Sequence, residues 1–231
     1  MPAANLAADE AVLDLCENGA GDETLIFWEP QDVFVVVGYA NKVATEVNVA
    51  ACEKRGISVF RRCSGGGTVV QMPGGLNYSL ILRITETGPT RSITAANQFI
   101  MEQNRAAIAS LVPGARVSVR GHTDLCLGNL KFAGNSQRRR KNFLLFHGTL
   151  LLNCDLTLIS ELLRMPSLQP DYRASRAHEN FVTNLNLPAA AVKAALKQAW
   201  EASEPAPALP AADVSRLVTE KYSADSWNRK F

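Results

Sequence analysis

Histidines and paired cysteines are scarce in this chain of 231 residues, which argues against metal centres and disulfide frameworks. The three histidines show no paired-ligand spacing, so no structural zinc site and no metal ligand is expected. The five cysteines are odd in number and include no Cys-x-x-Cys pair, which favours reduced thiols. No basic region followed by an apolar run opens the sequence, and we therefore expect a cytoplasmic protein without a secretory signal.

Excess charge and long apolar runs are missing as well. The formal net charge of +2 is too balanced to argue for a nucleic-acid partner. No apolar stretch approaches the length of a membrane span, so no membrane partner is expected. What the chain does contain, 47% hydrophobic and 20% charged residues, is ordinary for a soluble globule, and we predict that residues 1–231 form one domain.

Hydrophobic periodicity predicts an α+β fold with mixed or antiparallel sheets flanked by helices, because strand patterns recur without regular βαβ alternation. The strand patterns cover residues 24–28, 32–37, 57–62, 68–71, 77–84 and 143–152, with short strands near 117 and 125. The helical patterns cover residues 5–16, 43–54, 90–111, 156–164, 189–202 and 212–222, with a Pro/Ala linker at 204–210.

One segment combines two arginines with three consecutive glycines; it reads Arg61-Arg62-Cys63-Ser64-Gly65-Gly66-Gly67-Thr68-Val69-Val70. Glycine lets backbone approach a ligand closely, and successive bare N–H groups in such a turn form an anion-binding concavity. A guanidinium beside the turn supplies paired donors for a carboxylate or a phosphate. The segment is therefore an anion cradle or a plain tight turn between strands, and its residues alone leave both interpretations open.

Two further segments place polar residues in apolar surroundings. Lys131 follows a Gly-Asn turn signal and precedes an apolar pair and a second glycine, Gly134. Downstream, His147-Gly148-Thr149 interrupts a strongly apolar strand. Polar residues inside such a strand are either satisfied core groups or ligand contacts.

Together the three segments resemble the lipoate–protein ligase A family, within the superfamily of biotin/lipoate ligase catalytic domains and octanoyltransferases. The family writes Arg-Arg-x-Ser-Gly-Gly-Gly-x-Val, then Gly-x-Lys-x-x-Gly-Ser/Asn, then His-Gly-Thr-Leu-Leu-Leu-Asn-x-Asp-Leu, and this chain carries all three in order. The resemblance implies a biotin/lipoate ligase-like catalytic domain that uses ATP and Mg²⁺ to convert lipoate to lipoyl-adenylate. A lysine of an acceptor, a lipoyl domain or a glycine-cleavage H-type protein, then takes the lipoyl group.

The resemblance also implies roles for particular residues. Lys131 is expected to be the catalytic cation, touching both the acyl carbonyl and the phosphate. The residues expected to bind ATP or lipoyl-adenylate are Arg62, Ser64, Gly65, Gly66, Gly67, Thr68, Val69, Val70, Asn77, Asp124, Lys131, Gly134, Ser136, His147 and Thr149. Asp124 either orients Lys131 or the incoming amine, or is only a turn residue. His147 either lines the pocket or is buried for packing.

The chain departs from the ligase pattern in three places. Gln71 stands where the ligases carry a histidine, which bears on acyl preference, and Thr123 replaces an asparagine. Many family ligases carry a small accessory domain after the catalytic one, and none is predicted here after Trp227. We therefore expect one of three outcomes: a separate accessory protein completes the enzyme, the enzyme works without one, or adenylation is weak.

Two rival functions stay open. Octanoyltransferases of the same fold move an acyl group between carrier proteins without ATP, through a cysteine in a Pro-Cys-Gly loop. The comparable place here reads Met165-Pro166-Ser167-Leu168, and Ser167 has no evident base beside it in sequence. Cys63 is interpreted as a variable position. The second rival is a non-catalytic binder of carrier proteins, against which the retained Lys131 argues.

A dense basic run, Arg138-Arg139-Arg140-Lys141, falls between two predicted strands. It is either a solvated hairpin tip or a docking patch for an acidic acceptor domain.

Overall fold

Two sheets carry the fold, and the computed structural model describes all 231 residues. The strands are β1 (Thr24–Trp28), β2 (Phe34–Val37), β3 (Val59–Arg61), β4 (Val69–Gln71), β5 (Gly75–Arg83), β6 (Val117–Arg120), β7 (Asp124–Leu127), β8 (Leu130–Arg139) and β9 (Phe143–Leu151). The helices are α1 (Pro2–Glu17), α2 (Val43–Glu46), α3 (Val49–Arg55), α4 (Ile93–Leu111), α5 (Thr157–Leu162), α6 (Ala189–Ala199), α7 (Ala211–Leu217) and α8 (Asp225–Asn228).

The larger sheet is antiparallel, with strand order β1-β5-β9-β8-β7-β6. Its central strands β5 and β9 pair along their full length, from Gly75 opposite Leu151 to Arg83 opposite Phe143. In the smaller sheet, β2 pairs in parallel with β3 and antiparallel with β4. The predicted α+β class, with antiparallel and mixed sheets flanked by helices, is confirmed.

Alternation along β5 and β9 sends apolar side chains to both faces of the larger sheet. Leu80 and Phe146 pack with Ile100 of α4 in the main core, which α6 completes. The neighbouring Ile81 and Leu145 belong to a second cluster on the other face, where α1 covers the strands. Strands β5 and β9 are therefore held between two layers of helices.

Two predicted elements differ from the structure. The helix predicted at 43–54 is two helices, because Val47 is extended and bridges Leu163, while the Asn48 side chain caps α3 through the N–H of Ala51. The strand patterns do not include residues 130–139, yet the segment around Lys131 is the start of the ten-residue strand β8. None of the helices combines the length and the apolar character that crossing a bilayer requires.

Short irregular turns complete the architecture near the site. Two 3₁₀ turns, Asp171–Arg173 and His178–Asn180, lie in the long connection between α5 and α6. A π-helical turn, Val218–Tyr222, continues α7, so the helix predicted at 212–222 is present with a wider last turn.

The C-terminal segment closes onto the strand that precedes the glycines. Arg61 is fully buried, and its guanidinium donates to the carbonyls of Gly38, Tyr39 and Asn41 and to those of Trp227 and Asn228. In return, the Trp227 indole donates to the Arg61 carbonyl at 2.8 Å. The first arginine of the pair therefore holds backbone together and contacts no open space.

Candidate active site

A cavity of about 560 Å³ is lined by residues of both sheets and by the connection between α5 and α6. Of the residues predicted to bind nucleotide, thirteen line it: Arg62, Gly66, Gly67, Thr68, Val69, Val70, Asn77, Asp124, Lys131, Gly134, Ser136, His147 and Thr149. The other two, Ser64 and Gly65, do not line it; Ser64 is buried and Gly65 is exposed. Leu6 of α1 and Trp28 of β1 also line the cavity, although no motif in the sequence points to them.

The glycine loop, residues 64–67, is shaped by the guanidinium of Arg62. Arg62 is 7% exposed, and its Nη2 donates to the carbonyls of Gly65 at 2.5 Å and Gly67 at 2.7 Å. Its Nε donates to Ser64 Oγ at 3.1 Å. Burial lowers the pKa of Arg62 to about 10, which still leaves it charged at neutral pH. The donors that sequence reasoning assigned to phosphate or carboxylate are therefore largely used to organise the loop.

Glycine is required at one position of this loop. Gly66 has φ of +83°, and a Cβ there would approach Arg62 Nη2 at 3.0 Å. Gly67 has no such backbone conformation, and a Cβ there would meet nothing within 4 Å. Ser136 of β8 donates to the Gly65 carbonyl at 2.8 Å, which ties the loop to the strand that carries Lys131.

Lys131 pairs with Asp124 inside the cavity. Its Nζ lies 2.8 Å from Asp124 Oδ1, and the side chains are 28% and 14% exposed. The other carboxylate oxygen accepts a hydrogen bond from the Tyr172 hydroxyl at 2.7 Å. Burial, helped by this carboxylate, raises the pKa of Tyr172, so the phenol stays protonated as the donor. Of the two interpretations of Asp124, the geometry supports the one in which it orients Lys131.

The backbone around Lys131 is fixed on both sides. Its N–H donates to the Phe181 carbonyl at 2.8 Å, and its carbonyl accepts from the Thr183 N–H at 2.9 Å. Gly134 leaves room for the lysine stem, because a Cβ there would lie 2.7 Å from Lys131 Nζ. A lysine inside a strand, laid over a glycine, gives the ammonium a defined position.

Asn135 is a positioning residue that sequence reasoning missed. Its Oδ1 accepts from the Tyr78 hydroxyl at 2.6 Å, and its Nδ2 donates to the Thr123 carbonyl at 2.6 Å. Gly148 makes space for this amide, since a Cβ at Gly148 would collide with Asn135 Oδ1. The amide therefore fixes the turn before Asp124.

Gln71, which replaces the family histidine, forms a closed polar group with two predicted residues. Gln71 and Asn77 exchange hydrogen bonds of 2.8 Å through both amide groups. Thr149 Oγ1 donates to Asn77 Oδ1 at 2.6 Å and accepts from Gln71 Nε2 at 2.8 Å. These uncharged groups satisfy one another and offer the cavity no titrating proton in the neutral pH range.

His147 is hydrogen-bonded through both ring nitrogens. Nδ1 lies 2.7 Å from Asp9 Oδ2, and Nε2 lies 2.5 Å from Ser64 Oγ. Asp9 is on α1 and also accepts from Ser79 Oγ at 2.6 Å. When Nδ1–H donates to the Asp9 carboxylate, Nε2 accepts the hydrogen bond of the Ser64 hydroxyl. This chain of hydrogen bonds from Asp9 through His147 to Ser64 connects the glycine loop to β9 and α1. His147 thus lines the cavity and is also buried for structure.

All five cysteine side chains are free and buried: Cys16, Cys52, Cys63, Cys126 and Cys154. Burial raises the pKa of the Cys63 thiol to about 12 and that of Cys154 to about 11. It also raises the pKa of the other three. Since the thiolate is the nucleophile, none of these side chains is set up for thioester chemistry near neutral pH.

The basic run at residues 138–141 is neither freely solvated nor a free docking patch over most of its length. Arg138 donates to the Cys63 carbonyl at 2.8 Å, and Arg139 donates to the Thr90 carbonyl at 2.9 Å. Arg140 pairs with Asp14 of α1 at 2.7 Å. Of these four residues, only Lys141 is exposed and has a side chain that makes neither an ion pair nor a hydrogen bond.

The three carboxylates of the cavity wall are already engaged. Asp124 is bound by Lys131 and Tyr172, Asp9 by His147 and Ser79, and Glu46 by Ser167. No group of three or more His, Cys, Asp or Glu side chains could hold a metal ion. This donor set fits an Mg²⁺ ion held chiefly by phosphate oxygens and water, the usual arrangement for nucleotide-bound magnesium.

The antiparallel sheet, the glycine loop and the lysine–carboxylate pair together define an enzyme domain that activates or transfers acyl groups. A profile described as "Lipoyl protein ligase A/B catalytic domain" matches residues 1–201, and the chain belongs to this family. The family resemblance inferred from the three motifs is thereby confirmed.

Proteins named as octanoyltransferases and proteins named as lipoate–protein ligases both match this chain. The octanoyltransferase LipM of Geobacillus kaustophilus is 27% identical over 99% of this chain and 94% of its own length. Lipoate–protein ligase 1 of Staphylococcus aureus is 32% identical over 71% of this chain and 47% of its own length.

Solved structures share the fold at low sequence identity. The structure of a bi-partite lipoate protein ligase and its E2 lipoyl domain from Thermoplasma acidophilum has a TM-score of 0.80 at 22% identity, covering 99% of this chain and 91% of that one. A lipoate-protein ligase A bound with ATP has a TM-score of 0.79 at 24% identity, covering 99% of this chain and 94% of that one.

Proposed function

We propose that this protein is a lipoate–protein ligase, which activates lipoate with ATP and transfers the lipoyl group to a lysine of an acceptor lipoyl domain. The observation that carries the proposal is the state of the thiols, all five of which are buried with raised pKa values. Ser167, not cysteine, occupies the segment in which octanoyltransferases carry their nucleophile. Without a thioester, the acyl group needs another activated form, and a mixed anhydride with AMP supplies it.

The cavity has the groups that this chemistry requires. In the first step a lipoate oxygen attacks the α-phosphorus of ATP, and the bond to pyrophosphate breaks. Two anions must meet, so fixed positive charge is needed between them. Lys131 supplies that charge, while Asp124 and Tyr172 hold its side chain in place. Gly66 and Gly67 line the same space, and their N–H groups are candidate phosphate donors.

In the second step the amine of an acceptor lysine attacks the lipoyl carbonyl, and the carbon–oxygen bond to AMP breaks. Lys131 again stabilises the developing negative charge. The apolar residues Leu6, Trp28, Val36 and Val69 line the same cavity and suit the alkyl chain and dithiolane of lipoate.

Magnesium would bind together with ATP, and when bound it would neutralise negative charge on the triphosphate.

A second candidate, ATP-independent acyl transfer, is favoured by one contact. Ser167 Oγ donates to Glu46 Oε1 at 2.5 Å, and Glu46 is 3% exposed. The serine therefore has a carboxylate beside it in space, although its sequence neighbours offer none. A serine ester formed from an acyl carrier protein is the corresponding intermediate. The end-to-end match to LipM supports the same candidate.

The partners belong to the proposal as well. A lipoyl domain, or a glycine-cleavage H-type protein, is the acceptor, and a separate accessory protein completes the closed site during adenylation. The Thermoplasma acidophilum system, described as bi-partite and studied with its E2 lipoyl domain, supports this arrangement by analogy. We further propose that the catalytic domain of this protein is the single domain formed by residues 1–231.

The deciding experiment incubates the protein with an acceptor lipoyl domain, scored by mass shift, in two arms. One arm contains ATP, Mg²⁺ and lipoate, and the other contains octanoyl carrier protein without ATP. The ligase predicts a lipoyl mass shift that depends on ATP, with release of pyrophosphate. Transfer in the second arm alone, lost in Ser167→Ala, would establish the acyltransferase instead.

A further inference from the structure

Arg173 is a buried cation of the cavity wall that has no acidic partner. Its side chain is 4% exposed, yet it takes part in none of the ion pairs of the protein. It lines the same cavity as Lys131, Gly66 and Gly67. Burying a charge without a counter-ion is costly, and such a group is usually retained because a ligand completes it.

The guanidinium is held in one orientation by its own neighbours. Nε donates to the Arg176 carbonyl at 3.0 Å, and the plane stacks over the Phe181 ring with its carbon 4.6 Å from the centroid. Nη2 lies 3.3 Å from His178 Nδ1 and 3.5 Å from Met165 Sδ. Three of its five N–H groups are thereby assigned.

The tautomer of His178 follows from its second contact. His178 Nε2 lies 3.1 Å from the Arg164 carbonyl, so Nε2 carries the proton and donates it. Nδ1 then presents a lone pair, which accepts from Arg173 Nη2. Burial lowers the pKa of His178, which favours this neutral form. The ring acts as a positioning group for the arginine.

One nitrogen of Arg173 remains without a partner. Nη1 makes no hydrogen bond within the protein, and it is not sealed from solvent as Nε of Arg138 and of Arg140 are. Arg173 lines the cavity and is only 4% exposed, so Nη1, the guanidinium nitrogen with neither a partner nor full burial, is the candidate to face that space. Its two N–H groups form a planar donor pair, which suits an oxyanion.

We propose that Arg173, positioned by His178, forms a second anion site in the cavity and binds a phosphate oxygen of the nucleotide through Nη1. This inference rests on the proposed function for the identity of the nucleotide. The same phosphate chemistry also occurs in the phosphopantetheine arm of an acyl carrier protein, and the experiment therefore contains an arm for each source.

Arg176 provides a matched control on the same turn. Its guanidinium donates only to backbone carbonyls, those of Asn129, Tyr172, Arg173 and Asn180, and it does not line the cavity. Arg176→Gln therefore removes one positive charge from the same segment without removing a free donor.

The experiment titrates ATP with Mg²⁺ into the full chain by calorimetry, with thermal unfolding measured for every variant. Arg173→Gln is expected to weaken ATP binding about 10- to 100-fold, the usual range for one charge-assisted contact. His178→Ala should weaken it less, and His178→Asn, which keeps an acceptor near the Nδ1 position, should restore much of the loss. Arg176→Gln should bind ATP like the unmodified protein. Should Arg173→Gln fail to fold, Arg173→Lys keeps the charge without the fork and is expected to show an intermediate loss.

Equal ATP affinity in folded Arg173→Gln and in the unmodified protein, with unchanged transfer from octanoyl carrier protein, would overturn the site while leaving the ligase proposal intact. Absence of ATP binding by the unmodified protein would instead overturn the ligase proposal itself. Normal ATP binding by Arg173→Gln, combined with slower transfer from octanoyl carrier protein, would assign the site to phosphopantetheine and overturn the nucleotide assignment.

Discussion

At the scale of single residues, three buried arginines lie in or near the cavity wall and have different roles. The Arg61 guanidinium donates its hydrogen bonds to backbone carbonyls, and the Arg62 guanidinium donates most of its hydrogen bonds within the glycine loop. Arg173 leaves Nη1 without a partner. Because a guanidinium has five donors and cannot be neutralised near pH 7, the count of assigned donors distinguishes a structural arginine from a ligand-binding one. Sequence alone cannot make that distinction.

Lys131→Ala should abolish acyl transfer to the acceptor while leaving the fold intact. The ammonium is the cation paired with Asp124, and loss of one such charge-stabilising group costs about a hundredfold or more in rate. Acceptor mass shift over time measures the effect. Lys193→Ala is the control, since Lys193 pairs with Glu29 at a site that does not line the cavity. Near-normal turnover by Lys131→Ala would remove the central role assigned to this residue.

Stability should fall below about pH 6.5 in a way that depends on His178. Burial holds its pKa below the ordinary value of 6.5; Arg173 and Lys131 act in the same direction, and the Arg164 carbonyl and Glu179 oppose them. The unfolded chain therefore takes up a proton first as pH falls, so this stabilising contribution is complete above about pH 6.5 and is lost on acidification through the lower folded pKa.

Urea unfolding at pH 7.5 and pH 5.5 tests this, with His178→Asn as the comparison. The asparagine variant should lose less stability between the two pH values than the unmodified protein. Glu10 also has a lowered pKa in the fold, but its contribution is lost only below about pH 4.5, outside the window compared. Identical pH dependence in both proteins would contradict the assignment of a neutral, buried His178.

At the scale of elements, local pattern predicts most strands and helices and fails where a distant partner decides. The helix predicted at 43–54 is divided because Val47 bridges Leu163, which lies more than a hundred residues further along. Residues 130–139 show no strand pattern, yet β8 is a strand because it pairs with both β7 and β9. The motifs predicted which residues meet in the cavity. They could not predict Asp9 or Arg173, which have no local signal and are placed by tertiary contacts, and for Asn135 the lysine motif gave the position but not the role.

The glycine loop should respond differently to substitution at neighbouring positions. Gly66→Val should lower both stability and ATP affinity, because the left-handed φ costs about 1–2 kcal/mol for a residue with a side chain, with more for a β-branched one. Gly67→Val should leave the unfolding temperature nearly unchanged, since a Cβ there meets nothing within 4 Å, yet weaken ATP binding by occupying the approach of the phosphates. ATP titration and thermal unfolding of both variants measure this. Unchanged affinity in Gly67→Val would mean that the loop is only a turn.

At the scale of the whole molecule, the last residues support the start of the glycine loop. Asn228 is 6% exposed, and its Oδ1 accepts from the Arg61 N–H at 2.9 Å while its Nδ2 donates to the Tyr222 carbonyl at 3.0 Å. Helix α1 joins the same assembly, since Glu10 binds both Lys221 and Tyr222. Both ends of the chain are therefore part of the structure that holds the site.

Asn228→Ala should lower the free energy of unfolding by about 1–3 kcal/mol, because it leaves a buried N–H without an acceptor. It should also reduce acyl transfer, since β3 leads directly into the loop. Arg229→Ala is the control; its side chain is exposed and pairs with the exposed Asp225 at 3.9 Å, so a change of less than about 0.5 kcal/mol is expected. Chemical denaturation and the transfer assay provide both values. Equal stability of Asn228→Ala and the unmodified protein would contradict this account.

The bonds between Arg61 and the C-terminal segment also bear on how the protein is made. The guanidinium of Arg61 finds two of its carbonyl partners 166 and 167 residues further along the chain. A ribosome that adds about 5–20 residues per second therefore delivers them roughly ten to thirty seconds after Arg61 emerges. During that interval the Arg61 guanidinium lacks two of the carbonyls that it binds in the folded protein. Synthesis itself thus delays the completion of these bonds until Trp227 and Asn228 have emerged, and a chain that stopped before them would leave the glycine loop without this support.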